Sequence, residues 1–178
     1  MRALRCFALI LVCLLAVFPV RAQKEKRDPL TEAQIEQIRE AGTDPAERVG
    51  LYTKFVDEHV DTIKGLTKRG HSDARSRRLD DELQDLTALM DEFGANIDVY
   101  SDRKADIRRT LKPLSEAAPR WLEVLRALAP ERGFELSLKE AIESGQDLAD
   151  QATSLLREQT DYFNAHKDER GQDRAEPK

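Results

Sequence analysis

Three histidines, His59, His71 and His166, are the side chains best suited to acid–base or metal chemistry near neutral pH. A metal centre needs further ligands converging on one of them. His59 has Asp57, Glu58 and Asp61 close by in sequence. The Glu-x-x-His spacing of di-iron bundles is missing, because Val56 precedes His59 by three residues and Phe163 precedes His166 by three. There is no HExxH. His59 lies on an apolar helix seam, where a histidine bonded to a carboxylate or water is expected. His71, at a helix corner, and His166, near the tail, are expected in solvent. Haem fares no better. Both cysteines, Cys6 and Cys13, sit in the N-terminal apolar segment, so the mature chain has no C-x-x-C-H. A Met/His pair would need Met90 opposite His59, yet Met90 keeps the register of a core leucine. No cofactor and no metal ligand is assigned.

Nucleophilic chemistry finds no better footing. Ser72, Ser76, Ser101, Ser115, Ser137, Ser144 and Ser154 fall on expected helices or caps, and none stands in a G-x-S-x-G turn. No glycine-rich strand–loop–helix offers a phosphate cradle. The acidic pairs Asp80-Asp81 and Asp91-Glu92 lie on solvated faces, whereas a glycosidase sets its carboxylates in an enclosing cleft. No catalytic residue is assigned, and the chain reads as a non-enzyme. What remains is charge. Lys68, Arg69, Arg75, Arg77 and Arg78, with Lys64 and His71 beside them, make a basic corner; Arg103, Lys104, Arg108, Arg109 and Lys112 make a second cluster. The first is a candidate patch for an anionic partner or lipid headgroups. The competing reading is a solvated helix face whose cations pair with acids one turn away.

Periodicity supplies the elements that would carry these residues. Leu30-Thr31-Glu32-Ala33-Gln34-Ile35 opens a short helix: Thr31 and Gln34 are spaced for a capping box, Leu30 and Ile35 for a hydrophobic staple. It is expected to end by Gly42. Asp44-Pro45-Ala46-Glu47 starts the next helix, with Asp as N-cap and Pro in the first turn. Val49, Tyr52, Val56, His59, Ile63 and Leu66 keep one face apolar up to Gly70, and Ser72 can cap the third helix. Leu79, Leu83, Leu86, Met90, Phe93, Ile97 and Tyr100 recur at four and three. The phase runs on through Lys104 to Ile107, Leu111, Leu114, Ala118, Trp121, Leu125 and Leu128. With no Gly, Pro or Asn between Tyr100 and Ile107, the favoured arrangement is one long helix from Ser72 to Lys112, bending at Pro113 or Pro119. The alternative is a tight corner near Ser101-Asp102. After the break at Ala129-Pro130-Glu131-Arg132-Gly133, Ser137 to Glu140 reads as a third capping box, with Leu136 and Ala141 as its staple. A last helix then carries Ala141, Leu148, Ala152, Leu155, Gln159 and Tyr162/Phe163. The expected fold is all-α: an elongated antiparallel bundle of three to four long helices plus a short N-terminal helix, one domain over 30–166.

The ends read differently. Arg2 and Arg5 precede the apolar run Phe7 to Val20, fourteen residues that span only about 21 Å as a helix against the roughly 30 Å of a bilayer core. Residues 1–22 are therefore expected to be a signal peptide, cleaved before Gln23, leaving no integral membrane span and an exported, periplasmic or secreted protein. Residues 23–29 read as a linker and 167–178 as a disordered charged tail. The signal holds three of the 29 basic residues and none of the 34 acidic ones, so the mature chain carries 26 against 34, a net charge of −8. That acidity argues against nucleic-acid binding, which requires cations to displace counterions. Without cysteine, the mature fold rests on helix packing alone.

Leu30-Thr31-Glu32-Ala33-Gln34 resembles the L-T-x-x-Q motif of small bacterial periplasmic proteins that act as stress chaperones and metal-stress sensors. That family usually carries a second copy, and this chain has none. Asp44-Pro45, Glu47-Arg48-Val49 and Leu51-Tyr52 look like exported bacterial helical proteins with no assigned function. Neither resemblance brings a site residue with it. Two functions are therefore expected to compete. One is a cell-envelope scaffold or protein-binding module, in which the long heptad seam serves a partner or self-association. The other is a chaperone-like stress protein, which requires an exposed apolar concavity.

Overall fold

The capping box forms as its spacing demands. The Gln34 backbone N–H donates to Thr31 Oγ1 at 3.3 Å, and Thr31 N–H donates back to Gln34 Oε1 at 2.9 Å. These bonds open α1, Glu32–Glu40, in the computed structural model, which describes residues 28–169. Gly42 then turns the chain with φ +59, a conformation glycine enters without steric cost. Asp44 caps α2, Pro45–Thr67, by accepting from Ala46 N–H at 2.9 Å. Ser72 accepts from Arg75 N–H at 3.2 Å and starts α3, Asp73–Asp102. Two further helices complete the bundle, α4 over Arg108–Arg126 and α5 over Glu135–Ala165, with a 3₁₀ turn at Lys167–Glu169. The protein is all-helical among the described residues, and no described helix is long and apolar enough to cross a membrane. The expected signal peptide, most of the linker and nearly all of the tail lie outside the described residues.

The seams read from sequence meet in one core. Val49, Phe55, Val56, Ile63, Leu79, Leu83, Leu86, Phe93, Ile97, Leu111, Leu114 and Leu125 are completely buried, each stabilising the fold by about 1.5–3 kcal/mol through apolar burial. Among the described residues the buried core extends from Ile38 to Phe163. Polar pairs at its edges set the direction of each neighbouring helix. Tyr52 Oη donates to Glu92 Oε1 at 2.7 Å and His59 Nδ1 lies 2.7 Å from Glu82 Oε1, so α2 and α3 run antiparallel. Ser137 donates to Asp80 and Ser144 to Asp91, each at 2.6 Å, so α3 and α5 run parallel. Trp121 Nε1–H donates to Asp57 Oδ1 at 2.6 Å across the parallel pair α2/α4. Gln159 near the end of α5 meets Ile107 at the head of α4, and Arg126 meets Gln146, making that pair antiparallel.

Around the bundle the order is therefore α2, α3, α5, α4. Consecutive helices α3 and α4 sit at opposite corners and share no packed face among the described residues. This corrects the favoured expectation of one helix through Lys112. Helix α3 ends at Asp102, Lys104 takes a left-handed φ of 54, and residues 103–107 cross the end of the core to the far corner. Ala105 and Ile107 are buried there, which keeps the apolar phase running through a true turn. A buried crossing must satisfy its backbone without water. Gln159 does this from α5: Ile107 N–H donates to its Oε1 at 3.1 Å, and its Nε2 donates to the Ala105 carbonyl at 2.8 Å. Pro113 and Pro119, expected as the bend, lie exposed inside an unbroken α4.

The start of α5 also departs from expectation. Glu135 begins the helix and Phe134 occupies the cap position without a side-chain bond. Ser137 is inside the first turn, donating to Asp80 and sharing the Phe134 carbonyl at 3.0 Å. The expected capping box is absent because the helix starts two residues earlier, which puts Ser137 inside its first turn rather than at its cap. Leu136, expected to staple Ala141, is instead 70% exposed.

Candidate docking surface

Arg75, the central residue of the expected basic patch, turns inward. Its side chain is 8% exposed; Nε donates to the Leu66 carbonyl at 3.1 Å and Nη1 to Glu131 Oε1 at 2.8 Å. Glu131 Oε2 also accepts from Ser76 Oγ at 2.9 Å, and His71 Nδ1 stands 3.1 Å from Oε1. The Arg75 guanidinium, and after it the Ser76 hydroxyl, hold the Glu131 carboxyl below the usual carboxylate range. The network ties the α2–α3 turn to the α4–α5 loop. At Gly133 a Cβ would come within 3.0 Å of Ser76 Cβ, so the α4–α5 loop is also packed tightly against the first turn of α3.

With Arg75 and Glu131 satisfying one another, the remaining cations of the patch stand apart. Lys68, Arg69, Arg77 and Arg78 are exposed and form no ion pair among the described residues. Arg132, in the α4–α5 loop, is exposed and unpaired at the same end. Sequence reasoning missed it for a clear reason. A single helix from Ser72 to Lys112 would have sent residues 129–133 to the opposite end of the molecule. Of the acids nearest in sequence, Glu131 is taken up by Arg75 and Ser76, Asp80 accepts from Gln84 and Ser137, and Asp81 is exposed one turn on from Arg77 and Arg78. Asp73 and Glu135 each stand in the first turn of a helix, where they complement the helix dipole. Lys64 is drawn off by Asp61, 2.9 Å away.

The second basic cluster, at the other end, is divided. Arg108 donates to both Asp106 oxygens at 2.8 and 2.7 Å, which holds its guanidinium more firmly protonated than usual, and it covers the Phe163 ring at 4.7 Å. Lys104 lies over the Tyr162 ring at 5.1 Å. Arg109 and Lys112 share an open cleft of about 630 Å³ with Asp44 and Thr160. A cleft of about 490 Å³ runs beneath α1, between Pro29, Leu30, Ile35 and Ile38 on one side and Arg48, Tyr52 and Glu92 on the other. Burial, and then the bond to Glu92, push the Tyr52 phenol well above its ordinary pKa. His59 is seated against Glu82 as expected, and Met90 is buried beside Gly145, whose missing side chain leaves room for the Met90 sulfur and a Leu122 methyl. Among the described residues no group of three or more His, Cys, Asp or Glu could hold a metal ion. Comparison with protein families, curated proteins and solved structures finds no match to this chain.

Proposed function

We propose that this is a non-catalytic, exported helical protein of the cell envelope, a scaffold or binding module that docks through the basic end of its bundle. The observation that carries this reading is the set Lys68, Arg69, Arg77, Arg78 and Arg132. These five exposed cations are gathered by two turns that the Arg75–Glu131–Ser76 network locks together. A rigid cationic end on an otherwise acidic chain focuses an electrostatic field towards an anionic partner. The chain from Gln23 onward, immobilised and exposed to a detergent-solubilised envelope extract, is expected to retain one dominant partner at low salt and to release it as salt rises. Retention of nothing beyond background at low salt would remove the docking reading.

A second reading, a chaperone-like stress protein of the L-T-x-x-Q type, is favoured by the cleft beneath α1. Among the described helices that helix packs on α2 alone, and Leu30 and Ile35 stay half-buried above a floor of Arg48, Tyr52 and Glu92. Displacing α1 would open the concavity a client needs. Suppression of aggregation of an unfolded test protein, lost when Leu30 and Ile35 become Ser, is the outcome it requires.

A further inference from the structure

All five cations of this end are exposed, and none lines the cleft beneath α1 or the one at the head of α4. A peptide or small anion is recognised by enclosure, through bidentate pairing or a groove. A lipid surface asks for the opposite, a protruding cluster of long cationic side chains reaching many mobile headgroups at once. Leu136, 70% exposed in the first turn of α5, belongs to the same end, because Ser137 beside it is bonded to Asp80 in the second turn of α3. An exposed apolar side chain at the same end as exposed cations is the combination that enters an interface between headgroups and acyl chains. We infer that this end of the bundle, Lys68, Arg69, Arg77, Arg78, Arg132 and Leu136, is a peripheral docking surface for anionic phospholipid. The assignment deepens the scaffold reading and rests on it for the protein's place at the envelope.

The test is co-sedimentation of the chain from Gln23 to Lys178, which contains the whole packed core, with vesicles of phosphatidylcholine alone or mixed with phosphatidylglycerol. Binding is expected on the anionic vesicles at low ionic strength and is expected to weaken steeply with salt. Each cation near such a surface contributes about fivefold in partition, so K68S/R69S/R77S/R78S is expected to lower binding about a hundredfold or more. R103S/R109S/K112S/R120S removes the same charge elsewhere and is expected to bind like the parent. Circular dichroism of both variants checks folding, and the pairs K68S/R69S and R77S/R78S replace the quadruple change if it does not fold. Leu136→Ser is expected to weaken binding without altering its salt dependence. Equal losses in the two quadruple variants would overturn the assignment, as would indifference to lipid charge. Binding to a soluble polyanion such as heparin without vesicle binding would overturn it too. The extract experiment separates the two ideas: a salt-sensitive protein partner with no vesicle binding leaves the scaffold and removes the lipid surface. Vesicle binding with no protein retained does the reverse.

Discussion

Gln159 shows how much a single buried polar side chain can decide. It is 6% exposed and its amide satisfies both backbone groups of the crossing between α3 and α4. Gln159→Leu fills the same space but strands the Ile107 N–H and the Ala105 carbonyl. Each stranded group costs about 1–3 kcal/mol, so a loss of roughly 2–4 kcal/mol is expected in urea unfolding, with helical content kept in the folded state. Glu131 makes a separate prediction about pH. Its folded carboxyl titrates below the ordinary carboxylate range because Arg75 and Ser76 bond to the ionised form. Its contribution is therefore complete above the ordinary carboxylate range and is lost as pH falls through the lowered folded value. Glu131→Gln is expected to be less stable than the parent at neutral pH, and to lose less stability on acidification. Parallel acid-unfolding curves for the two chains would show that the network contributes nothing through charge.

At the scale of elements, α4 and the turn before it carry local costs that tertiary packing overrides. Pro113 and Pro119 each remove a donor from the interior of α4, yet that helix runs unbroken over Arg108–Arg126. Both prolines are exposed, so the carbonyls they orphan, those of Arg109 and Ser115, can turn to water. The buried face of Leu111, Leu114, Ala118, Trp121 and Leu125 holds the helix together across them. Pro119→Ala should restore one bond and raise stability by about 1–3 kcal/mol, read as an increase in thermal midpoint. Lys104 carries the other cost, a left-handed backbone on a side chain with a Cβ. Lys104→Gly relieves it, and a gain of about 0.5–1 kcal/mol is expected even after loss of the contact with Tyr162. An unchanged or lower midpoint would mean that the ring contact outweighs the strain.

For the whole molecule, the fully buried core among the described residues runs from Ile38 to Phe163, with the partly buried Leu30 packed against it. A chain trimmed to residues 28–169 is accordingly expected to unfold in one cooperative transition, with a midpoint close to that of the chain from Gln23 to Lys178. A large drop would reveal packing contributed by the trimmed ends. The two ends of the bundle differ in how their charge is arranged. At one, Arg75 and Glu131 are paired, and five cations stand free of ion pairs on the surface. At the other, Arg108 is paired with Asp106 and Lys104 sits on Tyr162, which leaves three exposed cations, Arg103, Arg109 and Lys112, against five. That asymmetry makes one end the candidate surface, even though both read as similar basic clusters in sequence.

Local chemistry was legible in the sequence because it is short-range. The Thr31–Gln34 box, the Asp44-Pro45 start, the Ser72 cap and the three- and four-residue seams all depend on neighbours within one or two turns, and these elements appear where expected. Gln159 was visible as a seam residue, but not as the lock of a turn 52 residues away. The corner at 103–107 stood in the sequence only as the less favoured alternative near Ser101-Asp102, because its left-handed residue is a lysine and its buried Ala105 and Ile107 continue the helical phase. The cap expected at Ser137 failed because the helix starts at Glu135, with the buried Phe134 at the cap position, and the Ser137 hydroxyl donates instead to Asp80, remote in sequence. The make-up of the basic end depended on the same corner: it brought Arg132 to the same end of the bundle as Lys68 and Arg69, while the Leu66 carbonyl and Glu131 drew Arg75 inside. Apolar periodicity determines that a helix forms and which face it buries. Which helices become neighbours, and therefore which charges meet or are spent on one another, is settled only when the chain closes its core.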